Sequence, residues 1–277
     1  MIPAKFDYER VSSVDEALSL LRQHGDDAKL LAGGHSLLPL MKLRFATPSV
    51  LIDVGRLADL SYVREDGDQI AIGALTRHHD VETSELLARE VPLLAHAAGE
   101  VGDPQVRHRG TLGGSLAHGD PASDLPAVLL ALRGTLVVQG PNGERRIPAD
   151  DFFTGFLETA VAEDEILTEV RVPRVPAAGW SFQKFSRRGG DWAVVGVALL
   201  AGADGVGPGV GLVNMASTPI RAGAVEEAVS GGASPAEAAS RAAEGTEPPA
   251  DLNASTEFRE HLAQVLVRRA LEEAGRG

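Results

Sequence analysis

Two short glycine stretches carry the chemistry this sequence can offer: Ala32-Gly-Gly-His-Ser36 and, further along, Thr111-Leu-Gly-Gly-Ser115. Glycine lacks a Cβ and adopts positive φ at little cost, so a Gly-Gly pair lets successive backbone N–H groups converge into a concave nest for phosphate oxygens. His35, between Gly34 and Ser36, adds its own N–H to the first of these. Each pair is followed by a hydroxyl side chain and an apolar run, which points to a diphosphate gripped from two sides, as in a dinucleotide such as FAD. Taken singly, a Gly-Gly pair in a chain with 31 glycines among 277 residues is an ordinary turn. The recurrence carries the reading.

Other candidates are weaker. The run Gly205-Val-Gly-Pro-Gly-Val-Gly211 lacks the G-x-G-x-x-G spacing, and Pro208 removes an N–H where a phosphate would need one, so it reads as a β-turn. His78 and His79 are adjacent and point different ways in regular structure, with no third ligand at helical spacing. There is no G-x-S-x-G nucleophile elbow. Asp120 and Asp124 have the residue types of an acid/base pair. Lys184, Arg187, Arg188 and Trp192 gather cationic and aromatic groups in a short span, which by composition alone is equally a solvated strand edge with one core tryptophan.

Composition narrows the partners. A formal charge of −13 argues against a polyanion such as nucleic acid, whose phosphates demand clustered lysine and arginine. No apolar run approaches the roughly 20 residues of a membrane span, and the first residues lack a basic-then-apolar leader pattern, so a soluble, cytoplasmic protein is expected. With no cysteine, disulfides, thiol nucleophiles and cysteine-ligated zinc or iron–sulfur clusters are excluded within the chain. Cluster chemistry would have to come from a partner.

Stepping along the elements that must hold these residues, Ser13-Val-Asp-Glu16 reads as a capping box opening a short amphipathic helix that stops at Gly25. Lys29-Leu-Leu reads as a strand running into the first glycine loop, and His35 to Arg44 as a helix-like turn leaving it. Val50–Val54 and 69–74 are strands, 83–98 is helical with a break at Pro92, and Ser123 or Asp124 can cap a helix over 125–132. Further strands are read over 135–139 and 166–172, and an antiparallel set over 180–186, 193–201 and 210–215. The stretch Pro173–Gly179 reads as a linker, the run 233–249 as partly mobile, and 256–274 as one packed amphipathic helix.

Ala32-Gly-Gly-His-Ser-Leu-Leu-Pro39, Val106-Arg-His-Arg-Gly-Thr-Leu-Gly-Gly-Ser115, Asp120-Pro-Ala-Ser-Asp124 and Lys184-Phe-Ser-Arg-Arg-Gly-Gly-Asp-Trp-Ala193 together resemble the FAD-binding (medium) subunit of the molybdenum hydroxylases, of the carbon monoxide, xanthine and aldehyde dehydrogenase type. The likeness spans essentially the whole chain. It implies an α+β fold: a two-lobed FAD-binding domain of the PCMH type over residues 1–175, with α/β lobes at about 1–57 and 58–175, and a C-terminal antiparallel sheet with helices over 176–277. It implies FAD contacts at Ala32, Gly33, Gly34, His35, Ser36, Thr111, Gly113, Gly114 and Ser115. Asp124 would serve as a ribose or flavin hydrogen-bonding and capping group, and Leu167 as a backbone and apolar contact. Trp192 would stack on the flavin ring, and Lys184 would supply a cation near it that favours the reduced, anionic form. Ser115 departs from the family, where many members have asparagine. The implied partners are a molybdopterin large subunit and a small subunit with [2Fe–2S] clusters, in a heterotrimer or its dimer, with electrons passing from cluster to FAD to an external acceptor. A stand-alone flavin oxidase and a non-enzymatic nucleotide-binding subunit stay open as alternatives on the same residues.

Overall fold

The computed structural model describes residues 2–202 and 206–275. Gly205 of the glycine run read as a β-turn lies outside the described residues.

Among the described residues three larger sheets follow one another along the chain, with a two-stranded ribbon of Phe153–Gly155 and Glu158–Thr159 beside them. The first is small and parallel, with Val50–Asp53 between Asp7–Arg10 and Ala28–Leu31. Its crossover helix Val14–His24 buries Ala17, Leu18 and Leu21 against the strands. The Ser13 hydroxyl accepts from the Glu16 amide at 3.1 Å as the sequence suggests, but the Glu16 carboxylate reaches back to the amide and hydroxyl of Ser12 rather than to Ser13. The second sheet is antiparallel, in the order Val63–Asp66, Gln69–Gly73, Ile166–Pro173, Thr135–Gly140, Gly143–Pro148. The third is an antiparallel meander of Trp180–Phe185, Val195–Leu200, Gly209–Val213 and Ile220–Arg221.

The helix Asp124–Ala131 is buried along its whole length because it packs on the third sheet and shares one apolar core with the second. That position also accounts for Val195–Leu200, which is buried at every residue. Ala198 and Leu200 join the core shared with the helix, while Val195, Val197 and Leu199 face the long C-terminal helix Thr256–Ala274. The approach is close enough to dictate glycine. A Cβ on Gly209 or Gly211 would overlap the carbonyl oxygens of Ala131 and Ala127 respectively. Gly211→Ala is therefore expected to destabilise the chain by roughly 1–3 kcal/mol, the usual cost of overpacking, seen as a lower midpoint in a thermal melt. An unchanged midpoint would mean the helix can back away freely.

The stretch Pro173–Gly179, read as a linker, is held against the fold: Val175 and Ala178 are buried, and the Val175 amide donates to the Glu90 carbonyl at 2.8 Å. One reading of the sequence differs from the structure here. The run 233–249 contains the helix Pro235–Ala239, opened by a full Ser234–Glu237 capping box. Local composition suggested mobility; a satisfied cap and burial of Ala238 and Ala239 override it.

Candidate cofactor cleft

A cleft of about 630 Å³ opens between the first sheet, the second sheet and the near end of the third. Ala32, Gly33, Gly34, His35, Ser36, Thr111, Gly113, Gly114, Ser115, Asp124, Leu167, Lys184 and Trp192 all line it.

The first glycine stretch leaves the strand Ala28–Leu31 and enters the helix Leu37–Leu43. Gly34 sits at φ 78°, the left-handed turn that aims neighbouring amides to one side. Among the described residues, the amides of Gly33, Gly34, His35 and Ser36 have no acceptor, and the Ser36 hydroxyl does not cap the helix it precedes. Four successive amides without an acceptor, at a turn that lines the cleft, are the donors an anion nest needs.

The second stretch has a different construction. Thr111 to Ser115 is not a loop at positive φ but the start of the helix Leu112–His118. Its first amides are already used: Leu112 donates to Thr76 O at 3.0 Å, Gly113 to Ala74 O at 2.8 Å, Gly114 to the Thr111 hydroxyl at 3.1 Å and Ser115 to Thr111 O at 3.0 Å. The expectation of two equivalent nests is therefore corrected, since a capped helix start has no amide to spare in this turn. Glycine is needed here for approach. A Cβ on Gly113 would stand 2.5 Å from the Ala74 Cβ, and one on Gly114 2.6 Å from the Thr111 hydroxyl. The two stretches meet at Gly33, where a Cβ would overlap the Arg109 carbonyl oxygen and lie 2.8 Å from Gly110 Cα.

At the other end, Lys184 and Asp124 are both buried and paired, Nζ to Oδ2 at 2.7 Å, with Nζ also donating to the Glu100 carbonyl at 2.8 Å. Lys184 is thus no free cation: its charge is matched within the protein. Asp124 does not cap its helix with a side-chain bond, and neither does Ser123. Its Oδ1 has no partner, and burial pushes its carboxyl up to about 6 against the opposing pull of Lys184. Trp192 is 61% exposed at the rim. Leu167 is buried beside a bulge that shifts the register between Leu167 and Glu169. Arg187 and Arg188 are not among the residues that line the cleft: Arg187 donates to Asn253, and Arg188 pairs with Asp191, which does line it. Asp120 is separate from Asp124 as well, accepting from the Ala122 amide at 2.9 Å, so no acid/base pair forms.

His78 is the residue that spacing gave no reason to choose. It is buried in the cleft wall with Nδ1 unpartnered, packed so close to Gly110 that a Cβ there would be 2.7 Å from the ring. Burial, with His35, Arg107 and Arg77 nearby, pushes it down to about 4, so it is neutral at pH 7. A long-range bridge between Arg77 and Thr111, with the His78 amide donating to the Gly110 carbonyl at 3.1 Å, holds it there, and such a pairing leaves no local signal in the sequence.

Comparison with known proteins identifies the family and its cofactor. Residues 4–175 match the family model described as the FAD binding domain in molybdopterin dehydrogenase, and residues 180–274 the CO dehydrogenase flavoprotein C-terminal domain. The chain belongs to this flavoprotein family. It is 43% identical to the carbon monoxide dehydrogenase medium chain of Hydrogenophaga pseudoflava, covering 99% of this chain and 98% of that one. It is 41% identical to the nicotine 6-hydroxylase medium subunit of Paenarthrobacter nicotinovorans, covering 97% and 96%. A solved structure of the Hydrogenophaga pseudoflava carbon monoxide dehydrogenase lacking the Mo-pyranopterin moiety superposes with a TM-score of 0.96 at 45% identity, over 99% of both chains. As in the rest of the family, the cofactor is FAD and the chain is an oxidoreductase component. The cleft fits it: four successive amides without an acceptor, a size within the usual few hundred to 1,000 Å³ of ligand sites, and buried polar atoms of Asp124 and His78 with no partner among the described residues. Among the described residues, no helix is long and apolar enough to cross a membrane.

Proposed function

We propose that this chain relays electrons, through FAD, from [2Fe–2S] clusters of a small partner subunit to an external acceptor, in a complex whose molybdopterin-bearing large subunit oxidises the substrate. The complex is a heterotrimer or its dimer. The observation carrying this reading is that the cleft lining offers a run of free amides suited to a diphosphate, while its buried carboxylate, Asp124, is paired with Lys184 and the chain has no cysteine. FAD supplies the redox chemistry when bound, taking and giving electrons singly or in pairs.

The amides of Gly33 to Ser36 hold the diphosphate, with the Ser115 hydroxyl and the Ala32 backbone flanking it. Thr111, Gly113 and Gly114 fix the second wall rather than donating to phosphate. Asp124, through its free Oδ1, and Lys184 would hold the ring end, with Leu167 as an apolar contact and Trp192 as a stacking partner. We divide the chain into an FAD-binding part over 1–175, with lobes at about 1–57 and 58–175, and a C-terminal part over 176–277, in keeping with the ranges of the two family models. Leu38, Leu43 and Phe45, exposed on the helix leaving the nest and just beyond it, suit a partner surface. Relatives of similar identity are named for carbon monoxide and for nicotine, so the substrate is chosen in another chain.

Purified alone and loaded with FAD, the chain should be bleached by dithionite yet stay oxidised with carbon monoxide, aldehydes, purines or nicotine. Mixed with its cognate large and small subunits, it should bleach when that complex's substrate is added. Turnover of such a substrate by the lone chain, at the roughly 1–10³ s⁻¹ of ordinary enzymes, would establish a stand-alone oxidase instead.

A further inference from the structure

Asp124 and Lys184 form a buried charge pair whose two halves are unequally satisfied. The lysine is fully engaged: its Nζ lies 2.7 Å from Asp124 Oδ2 and donates to the Glu100 carbonyl at 2.8 Å. The aspartate is not. Its Oδ1 is buried in the wall of the cofactor cleft with no hydrogen-bond partner among the described residues. A carboxylate oxygen held out of water without a donor is costly as an anion and binds a proton readily.

The groups around it do not relieve that demand. Glu100, exposed at the end of the helix Pro92–Gly99, is a like charge that raises Asp124 further. His118 and Asp120, from the helix Leu112–His118 and the turn after it, face each other at 4.0 Å, and burial pulls His118 down, so it is chiefly neutral at pH 7. At the far end of the helix Asp124–Ala131, Arg133, Arg221, Glu226 and Asp150 are matched among themselves. Burial therefore outweighs the pull of Lys184 and sets the Asp124 carboxyl at about 6.

We infer that Asp124 takes up a proton when the cofactor in this cleft is reduced, turning its pair with Lys184 from neutral to positive. That role rests on the flavin ring lying at this end of the cleft, as proposed above. Electrons entering a water-poor site place negative charge beside the carboxylate, and neighbouring like charges drive one of them to bind a proton. The balance is two electrons, from the partner's clusters in the complex or from an electrode in the test, one proton on the flavin and one proton from water on Asp124 Oδ1. Once Asp124 is protonated, Lys184 faces the ring without a counter-charge. A lysine matched in the oxidised protein thus becomes the cation that favours the reduced, anionic ring.

The test is the FAD midpoint potential of the full chain, measured by spectroelectrochemical titration on both sides of pH 6. Below about pH 6 the carboxyl is protonated in both redox states and adds nothing. Above it, until the reduced-state carboxyl also ionises, one extra proton enters per two electrons. The wild-type potential should fall more steeply there than that of Asp124→Asn, by tenfold in the equilibrium constant per pH unit, or about 30 mV. Asp124→Asn combined with Lys184→Met, which leaves no unpaired charge, should lack the extra slope too, and it carries the test if the single variant does not fold. The infrared difference between reduced and oxidised protein should show a protonated-carboxyl stretch that both variants lose. Equal slopes in wild type and variants, all with FAD bound, overturn the switch and leave the cofactor assignment standing. An extra slope that survives Asp124→Asn and vanishes in His118→Asn overturns it as well, by assigning the proton to the imidazole. A folded chain that shows no visible flavin spectrum when loaded with FAD sinks the cofactor assignment and the switch together.

Discussion

Gly33→Val is expected to give a folded but colourless protein. The new Cβ would overlap the Arg109 carbonyl oxygen and press on Gly110 Cα, both backbone atoms with no rotamer to yield. The first glycine stretch would have to lift away from the second, and the amides of Gly33 to Ser36 would no longer converge. Loss of a diphosphate cradle of this kind should weaken FAD by at least about a hundredfold, near 3 kcal/mol. The ratio of flavin to protein absorbance after gel filtration measures it, with circular dichroism to confirm folding. Full FAD occupancy in a folded variant would mean that the diphosphate lies elsewhere. Gly113 gives the same outcome for a different reason from the one its sequence suggests: its φ is helical, and the obstacle is Ala74.

Lys184→Met should be the most destabilising single change in the cleft. It strands the Asp124 carboxylate in the interior with neither oxygen partnered, and breaking a buried pair from one side typically costs about 3–5 kcal/mol. The sign with pH follows from Asp124. Its carboxyl is pushed up to about 6 in the folded chain from an ordinary 3.8. The folded form therefore binds the proton more tightly than the unfolded one. Its ionised form is a net cost above pH 6, and that cost fades as pH falls from about 6 towards 3.8. Without Lys184 the carboxyl rises further, so the damage should be greatest in alkaline buffer and smaller in mild acid. Thermal melts on either side of pH 6 read this directly, and Asp124→Asn combined with Lys184→Met should recover most of the loss. A variant equally stable at every pH would show that water reaches the carboxylate.

What the sequence made legible was local. The strand, glycine turn and helix around residues 28–43 follow from apolar runs and punctuation, and so does the nest, because it is built from consecutive amides. The second stretch was misjudged although its sign was present: Thr111 stands three residues before Gly114, the spacing of an N-cap, and a capped start uses up its donors. Asp124 and Lys184 were each visible as candidates, but their pairing spans 60 residues and is fixed by how the helix Asp124–Ala131 seats on the third sheet. No pattern within either segment encodes that. His78 was hidden for the same reason, since its burial depends on a bridge to Thr111. The stretch Pro173–Gly179 carries the composition of a linker, and only the fold shows Glu90 holding it down.

The helix Asp124–Ala131 has a consequence for inheritance. Two family models divide the chain near residue 175, as if it were two exchangeable cassettes. Yet the helix of the first is locked into glycine notches of the second, and its first residue shares a proton-binding site with a lysine from across the seam. A hybrid gene joining front and back from distant relatives would have to match notch to carbonyl and acid to base at once. Recombination at that point should therefore be tolerated only between close kin, and the flavin subunit should pass between complexes whole.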